Sequence, residues 1–208
     1  MDSVRIYLLR HGQVDFPKGI FYGQMDVPLS DMGKRQSLLT ARYIVQVDLD
    51  FVITSDLERC ATLACLIQDE GGPGPVFSKA LREVDFGQWA GLSWDEIEKA
   101  HPGAMSQRME DLENYRPPGG ECLADVLKRA GVVFERCAQG TYGKNIAIVA
   151  HGGVNRVIIA DFLGMRLQNI FNLHQDYNCI NCIEIFPDGN GTLRFLNMTS
   201  HLDTDPQD

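Results

Sequence analysis

Hydrophobic and polar positions along the chain follow two patterns, one with the spacing of strands and one with the spacing of helices. Short apolar runs rich in β-branched residues predict buried strands at 4–9, 51–54 and 146–150. Stretches with apolar residues every three or four positions predict helices, at about 32–46, 56–70, 121–138 and 152–163. The alternation of strands with helices is typical of a parallel sheet covered on both faces.

Capping and breaking residues mark the limits of these elements. Ser30-Asp31 and Ser55-Asp56 are predicted to cap the helices that follow them, and Gly71-Gly72-Pro73 is predicted to end the second helix. Two further short helices are expected at 94–100 and 104–114, before the break at 117–120. Residues 180–186 and 193–198 are predicted to form an antiparallel hairpin around 188–191.

Together these elements predict an α/β fold. We expect a single-domain, three-layer αβα sandwich with a mostly parallel central sheet and an antiparallel closing strand. One domain is expected over 1–208, with an ordered core at about 4–198 and a C-terminal tail at 199–208, because no repeat, linker or low-complexity segment interrupts the chain.

Composition and charge narrow the classes of function. The 208 residues are 44% hydrophobic and 23% charged, which is ordinary for a globular protein. No apolar run approaches the ~20 residues that cross a bilayer, and residues 1–6 lack a secretion-signal pattern, so a cytoplasmic location is the default expectation. A net charge of −9 argues against nucleic acid or an anionic membrane as the main partner, but not against a small anionic substrate held by a few arginines.

The six cysteines are expected to be reduced thiols. Cys179 and Cys182 have CxxC spacing, but no second CxxC or CxxH pair accompanies them and the segment enters a predicted strand. Because the two side chains would point to opposite faces of that strand, neither a metal site nor a redox role is expected for them.

Polar residues with catalytic potential follow all three buried strands. Arg10-His11-Gly12 follows the first strand, Ser55 to Arg59 the second, and His151-Gly152-Gly153 the third. Because the carboxyl ends of parallel strands share one edge of a sheet, these residues are expected to converge there.

The residue types in this set suit phosphoryl transfer. Arg10 and Arg59 each offer a planar fork for phosphate oxygens, and the helix after His151 would aim free N–H groups at an anion. The glycines after both histidines would let backbone approach a ligand. His11 could attack phosphorus and form a phosphohistidine, and Glu83, in a loop beside Phe86, could protonate the leaving oxygen.

Taken one at a time, these residues have ordinary explanations. A single histidine after a strand is commonly a loop or capping residue, and Arg59 or Glu83 alone could be a surface residue. Arg82 is interpreted as a solvated helix residue, and Trp89 and Trp94 as packing residues. Only their joint occurrence at one predicted sheet edge favours a catalytic site.

Five segments in register resemble the histidine phosphatase (phosphoglycerate mutase-like) superfamily over about residues 4–198. They are Leu9-Arg10-His11-Gly12, residues 23–30 with Gly33, Ser55-Asp56-Leu57-Glu58-Arg59-Cys60, Leu81-Arg82-Glu83 with residues 86–91, and Ala150-His151-Gly152-Gly153. Asp56, Cys60 and Ala90 stand where proline, alanine and glutamate are usual, and none of these departures removes a proposed catalytic group.

The resemblance implies roles for these residues and no metal or other cofactor. His11, Glu83 and His151 would be catalytic, and Arg10, Arg59 and His151 would bind the phosphate. Gln13, Tyr22 and Gln24 are candidate substrate-binding residues, and substrate selection is expected from 14–24 and 101–121. The implied partners are a small phosphorylated metabolite and inorganic phosphate as product, and the sequence leaves a homodimer open.

The expected activity is hydrolysis of a phosphomonoester. Residues 21–28, 85–89, 118–121 and 193–197 resemble the α-ribazole phosphatase and broad-specificity phosphatase branch, which makes α-ribazole 5′-phosphate a candidate substrate. A cofactor-dependent phosphoglycerate mutase and a non-catalytic phospho-ligand binding module remain alternatives. Asp48-Leu49-Asp50 fits the DxD pattern of magnesium-dependent aspartyl phosphatases, but it precedes a strand instead of following one and is interpreted as a helix–strand turn.

Overall fold

A six-stranded sheet forms the centre of the molecule in a computed structural model that describes residues 3–203. The strands lie in the order β3-β2-β4-β1-β5-β6. Their bounds are Val4–Arg10 for β1, Phe51–Thr54 for β2, Pro75–Phe77 for β3, Asn145–Ala150 for β4, Ile180–Ile185 for β5 and Gly191–Met198 for β6.

The first four strands of that order are parallel, and β5 and β6 add an antiparallel hairpin beside β1. This arrangement confirms the predicted fold class, including the antiparallel closing strands. The register between β1 and β4 sets Arg10 opposite Ala150, so the residues that leave these two strands start side by side. On the other side of β4, Thr54 at the end of β2 is opposite Val149.

Helices cover both faces of the sheet. Their bounds are Asp31–Ile44 for α1, Glu58–Asp69 for α2, Trp94–Ala100 for α3, Ala104–Glu110 for α4, Leu123–Ala138 for α5 and Gly152–Phe162 for α6. Alternate residues of β1 pack to opposite sides: Ile6 and Leu8 join the core beneath α5 and α6, while Tyr7 and Leu9 join the core beneath α1 and α2. The three predicted layers follow from this alternation.

The beginnings of α1 and α2 differ in how well the sequence predicted them. Ser30 caps α1 as predicted, its hydroxyl accepting a hydrogen bond from the Gly33 N–H. The prediction that Asp56 caps α2 is wrong, because Leu57 is the N-cap residue and makes no side-chain cap. The Asp56 carboxylate instead accepts two hydrogen bonds from Arg82, at 2.7 and 2.6 Å. Arg82 is therefore a paired residue after a 3-10 turn and not a solvated helix residue.

A small third core lies beside the sheet, where α3 and α4 pack around Trp89. Trp89 is fully buried, as predicted, whereas Trp94 begins α3 with 46% of its surface exposed, so its assignment as a packing residue is wrong. Helix α4 ends at Glu110, four residues before the predicted limit, and Arg108 is among its buried residues.

The chain after β6 continues into a 3-10 turn at Ser200–Leu202, where His201 is buried against Thr40 of α1. The predicted tail at 199–208 therefore begins with packed residues, and its positions 204–208 lie outside the described residues. The pattern at 48–50 falls between a 3-10 turn and β2, as interpreted from the sequence. Within residues 3–203 no helix is long and apolar enough to cross a membrane.

Candidate active site

The two predicted site histidines meet at the carboxyl ends of β1 and β4. Both are buried, with 1% of His11 and none of His151 exposed, and their ring centroids lie 5.1 Å apart. The backbone N–H of His11 donates to the carbonyl of Ala150 at 3.2 Å, which extends the pairing of the two strands by one residue. The predicted convergence of these strand ends is therefore present in the structure.

His11 is held as a neutral imidazole with one nitrogen turned to its own backbone. Nδ1 lies 2.8 Å from the carbonyl oxygen of Gly12, and because a carbonyl only accepts, Nδ1 carries the ring proton. Burial, together with the nearby charges of Arg10 and Arg59, lowers the pKa of His11 well below its ordinary value. Nε2 is consequently unprotonated and keeps its lone pair.

Two guanidinium groups lie beside these rings, one fully buried and one half-buried. The fully buried Arg59 donates to the carbonyls of Met25 and Gly23, both at 2.7 Å, and to Nδ1 of His151 at 3.3 Å. Arg10 donates to the carbonyl of Gln175 at 2.5 Å and lies over the ring of Tyr177, 4.0 Å from its centroid. Within residues 3–203 neither arginine forms a salt bridge with a carboxylate, so their positive charges are not neutralised.

His151 bridges Arg59 and a serine hydroxyl. Because its Nδ1 accepts from Arg59, the proton resides on Nε2, which donates to the Ser55 hydroxyl at 2.9 Å. Burial and the charge of Arg59 lower the pKa of His151 well below its ordinary value, with smaller contributions from His11 and Arg10. The residues after β2 and β4 are thus joined in one hydrogen-bonded group.

The Glu83 carboxylate reaches this group from the segment after β3. Its Oε2 accepts from the N–H of Gly153 at 3.2 Å, and its Oε1 accepts from the N–H of Val84 at 2.9 Å. A Cβ on Gly153 would stand 2.4 Å from Oε1, so glycine at this position makes room for the carboxylate. The N-terminus of α6 therefore holds Glu83 next to the histidines.

Other side chains fix the backbone that presents Glu83. Arg129 donates to the carbonyls of Ala80 and Glu83, at 2.7 and 2.9 Å, while also pairing with Glu121 at 2.8 Å. The bidentate contact between Arg82 and Asp56 ties the same segment to the start of α2. The Glu83 segment forms no regular element, but these contacts anchor it to the start of α2 and to α5.

The glycines near the histidines have different surroundings. A Cβ on Gly152 would stand 3.3 Å from Nε of Arg10, in keeping with its predicted place at the binding pocket. A Cβ on Gly12 would stand 2.4 Å from the carbonyl oxygen of Gly33. Close packing of the segment after β1 against α1 is thus a second reason for glycine at position 12, and the predicted approach of its backbone to a ligand stays a prediction.

The three candidate substrate-binding residues lie at different places near the two histidines. Tyr22 is half-buried beneath Arg59, and its hydroxyl hydrogen-bonds with that of Tyr177; burial and this contact raise its pKa. Gln24 donates to the carbonyl of Glu83 at 3.1 Å and thus supports the loop of the acid. The Gln13 side chain accepts a hydrogen bond from Ser30 at 3.0 Å. Gln13 and Tyr22 also line one surface pocket together.

Two arginines of the site were missed in the sequence. Arg156 of α6 and Arg108 of α4 both line a pocket that contains Glu83 and Gly153. Arg156 follows Gly153 by three positions, which on a helix places both on one side, so its spacing could have revealed it. Arg108 follows Ala104 and Met105 by four and three positions, which places it on the apolar face of α4.

The arrangement combines a neutral imidazole that has a free lone pair, arginines without a carboxylate partner among the described residues, and a carboxylate. Such a group can bind an anion, attack it and move one proton. Within residues 3–203 no set of three or more His, Cys, Asp or Glu side chains is placed to hold a metal ion.

Comparisons with known proteins agree with this chemistry. Residues 6–199 match the model of the histidine phosphatase superfamily (branch 1). The glucosyl-3-phosphoglycerate phosphatase of Mycolicibacterium vanbaalenii is 31% identical over 79% of this chain and 76% of its own length. Phosphoserine phosphatase 1 of Hydrogenobacter thermophilus is 26% identical over 96% and 94% of the two chains.

Solved structures extend the likeness to the whole fold. The α-ribazole phosphatase from Shigella flexneri superposes with a TM-score of 0.84, at 28% identity over 94% of this chain and 96% of its own. The match by sequence, fold and family model covers the strand ends that carry the histidines. This chain therefore belongs to the histidine phosphatase superfamily, branch 1, and is a phosphatase of that superfamily.

Proposed function

We propose that this chain hydrolyses small phosphomonoesters through a phosphohistidine on His11, without a metal ion. One observation carries the proposal: the buried His11, with its Nε2 unprotonated, lies beside the guanidinium groups of Arg10 and Arg59, which have no carboxylate partner in residues 3–203. A phosphoryl group supplies the negative charge that such a pocket lacks, and it is the electrophile that an unprotonated imidazole attacks.

In the first step Nε2 of His11 forms a bond to phosphorus as the ester P–O bond breaks. Arg10 and Arg59 stabilise the charge on the non-bridging oxygens, which spreads as the transition state forms. The departing alkoxide takes a proton from the protonated carboxyl of Glu83. The alcohol leaves, and the phosphoryl group remains on His11 with Glu83 ionised.

In the second step water attacks the phosphohistidine. The Glu83 carboxylate accepts a proton from that water, the P–N bond breaks, and the electron pair returns to Nε2. Inorganic phosphate leaves, and His11 and Glu83 regain their starting protonation. One carboxylate thus serves as acid in the first step and as base in the second.

His151 serves as a neutral donor to the phosphate in this proposal. Its single ring proton, on Nε2, is directed at Ser55 in the substrate-free protein. A bound phosphate oxygen would take the place of the serine hydroxyl as acceptor. Arg59 holds the ring through Nδ1, so the ring orientation would persist during this exchange.

The substrate is proposed to be a small phosphorylated metabolite. The sequence resemblance favours α-ribazole 5′-phosphate as the substrate. The names of the relatives given above make phosphoserine and glucosyl-3-phosphoglycerate further candidates. Each of these is a phosphomonoester, which the two-step mechanism accepts without change.

A phosphate-release screen in metal-free buffer tests the proposal. We expect turnover of several phosphomonoesters, unchanged by EDTA and lost in His11→Ala. Dependence on Mg²⁺, or wild-type turnover by His11→Ala, would contradict the mechanism. Interconversion of phosphoglycerates without phosphate release would favour the mutase alternative, and phosphate binding without turnover would favour a binding module.

A further inference from the structure

An apolar pocket of about 240 Å³ extends from Glu83 away from the two histidines. Its walls include aromatic rings, among them Phe21, Phe86 and Phe171. The volume lies just below the range of about 300–1,000 Å³ that is usual for drug-sized ligands, so it suits the organic part of a small metabolite. The alcohol released when Glu83 protonates the leaving oxygen would occupy this pocket.

Arg108 is the unusual member of this pocket. Only 7% of its surface is exposed, and within residues 3–203 its side chain forms no hydrogen bond or salt bridge. Its guanidinium lies over the ring of Phe86, 5.4 Å from the centroid, and burial lowers its pKa. The guanidinium nitrogens keep access to the pocket, so an acceptor on a bound ligand can reach them.

The second arginine of the pocket lies at the opposite, catalytic end. Arg156 donates from Nε to the carbonyl of Leu173 at 2.8 Å, and it is close enough to Glu83 and Arg10 for their charges to affect its pKa. Glu83 and Arg10 make no comparable contribution at Arg108. Arg156 thus belongs to the phosphate end, and Arg108 is set apart from it by apolar surface.

We propose that Arg108 binds a carboxylate on the leaving-group side of the substrate. The substrate class is then a phosphomonoester of a hydroxy acid, with an apolar stem between the phosphate and the carboxylate. This inference rests on the proposed function, because it assigns the pocket to the leaving alcohol. It ranks carboxylate-bearing phosphomonoesters above α-ribazole 5′-phosphate, whose leaving group has no second anion.

A carboxylate fits Arg108 better than a second phosphate does. One guanidinium offers two parallel N–H donors, which match the two oxygens of a carboxylate. A phosphate dianion would require further donors or cations, and the pocket walls around Arg108 are aromatic and aliphatic. A single positive charge among apolar walls is therefore matched by a single negative charge.

A matched pair of substrates tests the inference: 4-(carboxymethyl)phenyl phosphate and its carboxamide. They are similar in size, and the methylene group keeps their leaving phenols alike. We expect the wild-type protein to prefer the carboxylate by about ten-fold or more in kcat/KM, the difference between a charged and a neutral hydrogen-bond partner. Equal kcat/KM values for the two would overturn the inference without any variant.

Substitutions then test whether the preference for the carboxylate substrate depends on Arg108. Arg108→Met should abolish it, because kcat/KM should fall about ten-fold more for the carboxylate than for the carboxamide, and Arg108→Lys should restore part of it. Arg116→Met is the matched control, because Arg116 is an exposed arginine paired with Asp125, and it should keep the full preference. Equal losses for both substrates in Arg108→Met would show a structural role only.

A binding measurement separates this inference from the proposed function. Calorimetry with the product 4-hydroxyphenylacetate and its amide needs no catalysis and can use His11→Ala. Tighter binding of the acid, lost in Arg108→Met, supports the inference even if no ester is hydrolysed. Equal affinity of acid and amide in a protein that still hydrolyses phenyl phosphate overturns it and leaves the proposed function standing.

Discussion

At the scale of single residues, the site depends on keeping two imidazoles neutral beside fixed positive charges. An exposed histidine would be partly protonated near neutral pH and a poor nucleophile. Burial and the charges of Arg10 and Arg59 lower the pKa of His11, so the groups proposed to bind phosphate also keep the proposed nucleophile unprotonated at Nε2. Binding and activation are therefore properties of one cluster.

Glu83→Gln separates proton transfer from binding. Glutamine keeps the size of the side chain and an oxygen that can accept from the Gly153 N–H, but it has no proton to give to the leaving group. We expect kcat for an alkyl phosphate to fall by about 100-fold to 10,000-fold, with a smaller loss for 4-nitrophenyl phosphate, whose leaving group needs no acid.

Steady-state kinetics on both esters, with inorganic phosphate as a competitive inhibitor, check this prediction. Phosphate affinity should be unchanged, and the exposed Glu58→Gln should behave as wild type. Equal loss on both esters would remove Glu83 from the role of general acid.

Some residues of the candidate site could be predicted from the sequence, and others could not. His11, Arg59, Glu83 and His151 could be predicted because each belongs to a motif at a strand end or in a neighbouring loop. Arg108 could not be assigned in the same way, since arginines in short helices are usually solvated. Its importance follows from burial without a partner, which depends on how α4 packs against the Glu83 loop.

At the scale of elements, the N-terminus of α6 joins the end of β4 to the Glu83 carboxylate. His151 caps the helix at the end of β4, and the next two residues place glycine beside Arg10 and Glu83. The free N–H groups of a first helical turn favour negative charge, which explains why Glu83 accepts from Gly153.

Gly153→Ala tests whether this helix start positions the acid. The added Cβ would meet Oε1 of Glu83, the end of a flexible side chain, so we expect the carboxylate to move while the backbone stays in place. A displacement of about 1 Å near reacting groups costs on the order of 100-fold, so kcat for alkyl esters should fall by at least about ten-fold.

Thermal unfolding and kinetics on the same protein decide this test. Helix propensity favours alanine by roughly 0.5–1 kcal/mol, so stability should not fall. Gly131→Ala in α5 is the control, because its Cβ would meet only Leu127 at an ordinary 3.6 Å, and it should keep full activity. A Gly153→Ala protein with wild-type kcat would contradict the positioning role.

Element boundaries were predictable where one local signal decided them. Ser30 caps α1 because its hydroxyl oxygen can accept from the Gly33 N–H while its proton is donated to Gln13. Asp56 has the composition of a cap residue, but Arg82 from the segment after β3 binds its carboxylate, and that contact spans 26 positions in sequence. Local pattern cannot anticipate such a competition.

At the scale of the whole molecule, a net charge of −9 coexists with a positive pocket. The surface excess of carboxylates lies outside the site, where screening acts within about 10 Å at ordinary salt concentration. The pocket is buried among the strand ends, so the local arginines decide what binds there. Global charge therefore argues against some partners but could not identify the substrate.

The buried histidines should make stability depend on pH. The folded-state pKa values of His11 and His151 lie well below the unfolded value of about 6.5, so the unfolded state binds more protons as the pH falls below that value. Stability is thus complete above about pH 6.5, and each histidine removes about 1 kcal/mol per pH unit between about pH 6 and 5.

Denaturant unfolding of the wild type and His11→Asn over that range checks the prediction. The variant should lose less stability on acidification, by roughly 1 kcal/mol per pH unit. Contributions from carboxylates and His201 are shared by both proteins and cancel in the difference. Parallel curves for the two proteins would mean that His11 is not held neutral by the fold.

The order of the six strands could not be predicted from sequence in full. Alternation of strands and helices was enough for a parallel sheet with two covered faces. The neighbours of each strand depend on long-range pairing, and β3 has only three residues, too few for a periodic pattern. The site nevertheless was predictable, because it needed only that β1, β2 and β4 end at one edge.

The most direct test of the account is detection of the phosphorylated residue. The protein is mixed with excess phosphomonoester in metal-free buffer, quenched in alkali within one turnover, digested and analysed by mass spectrometry. The account predicts one phosphoryl group on His11, stable in base, lost in acid and absent from His11→Ala. An acid-stable phosphoryl group, or one on another residue, would contradict it.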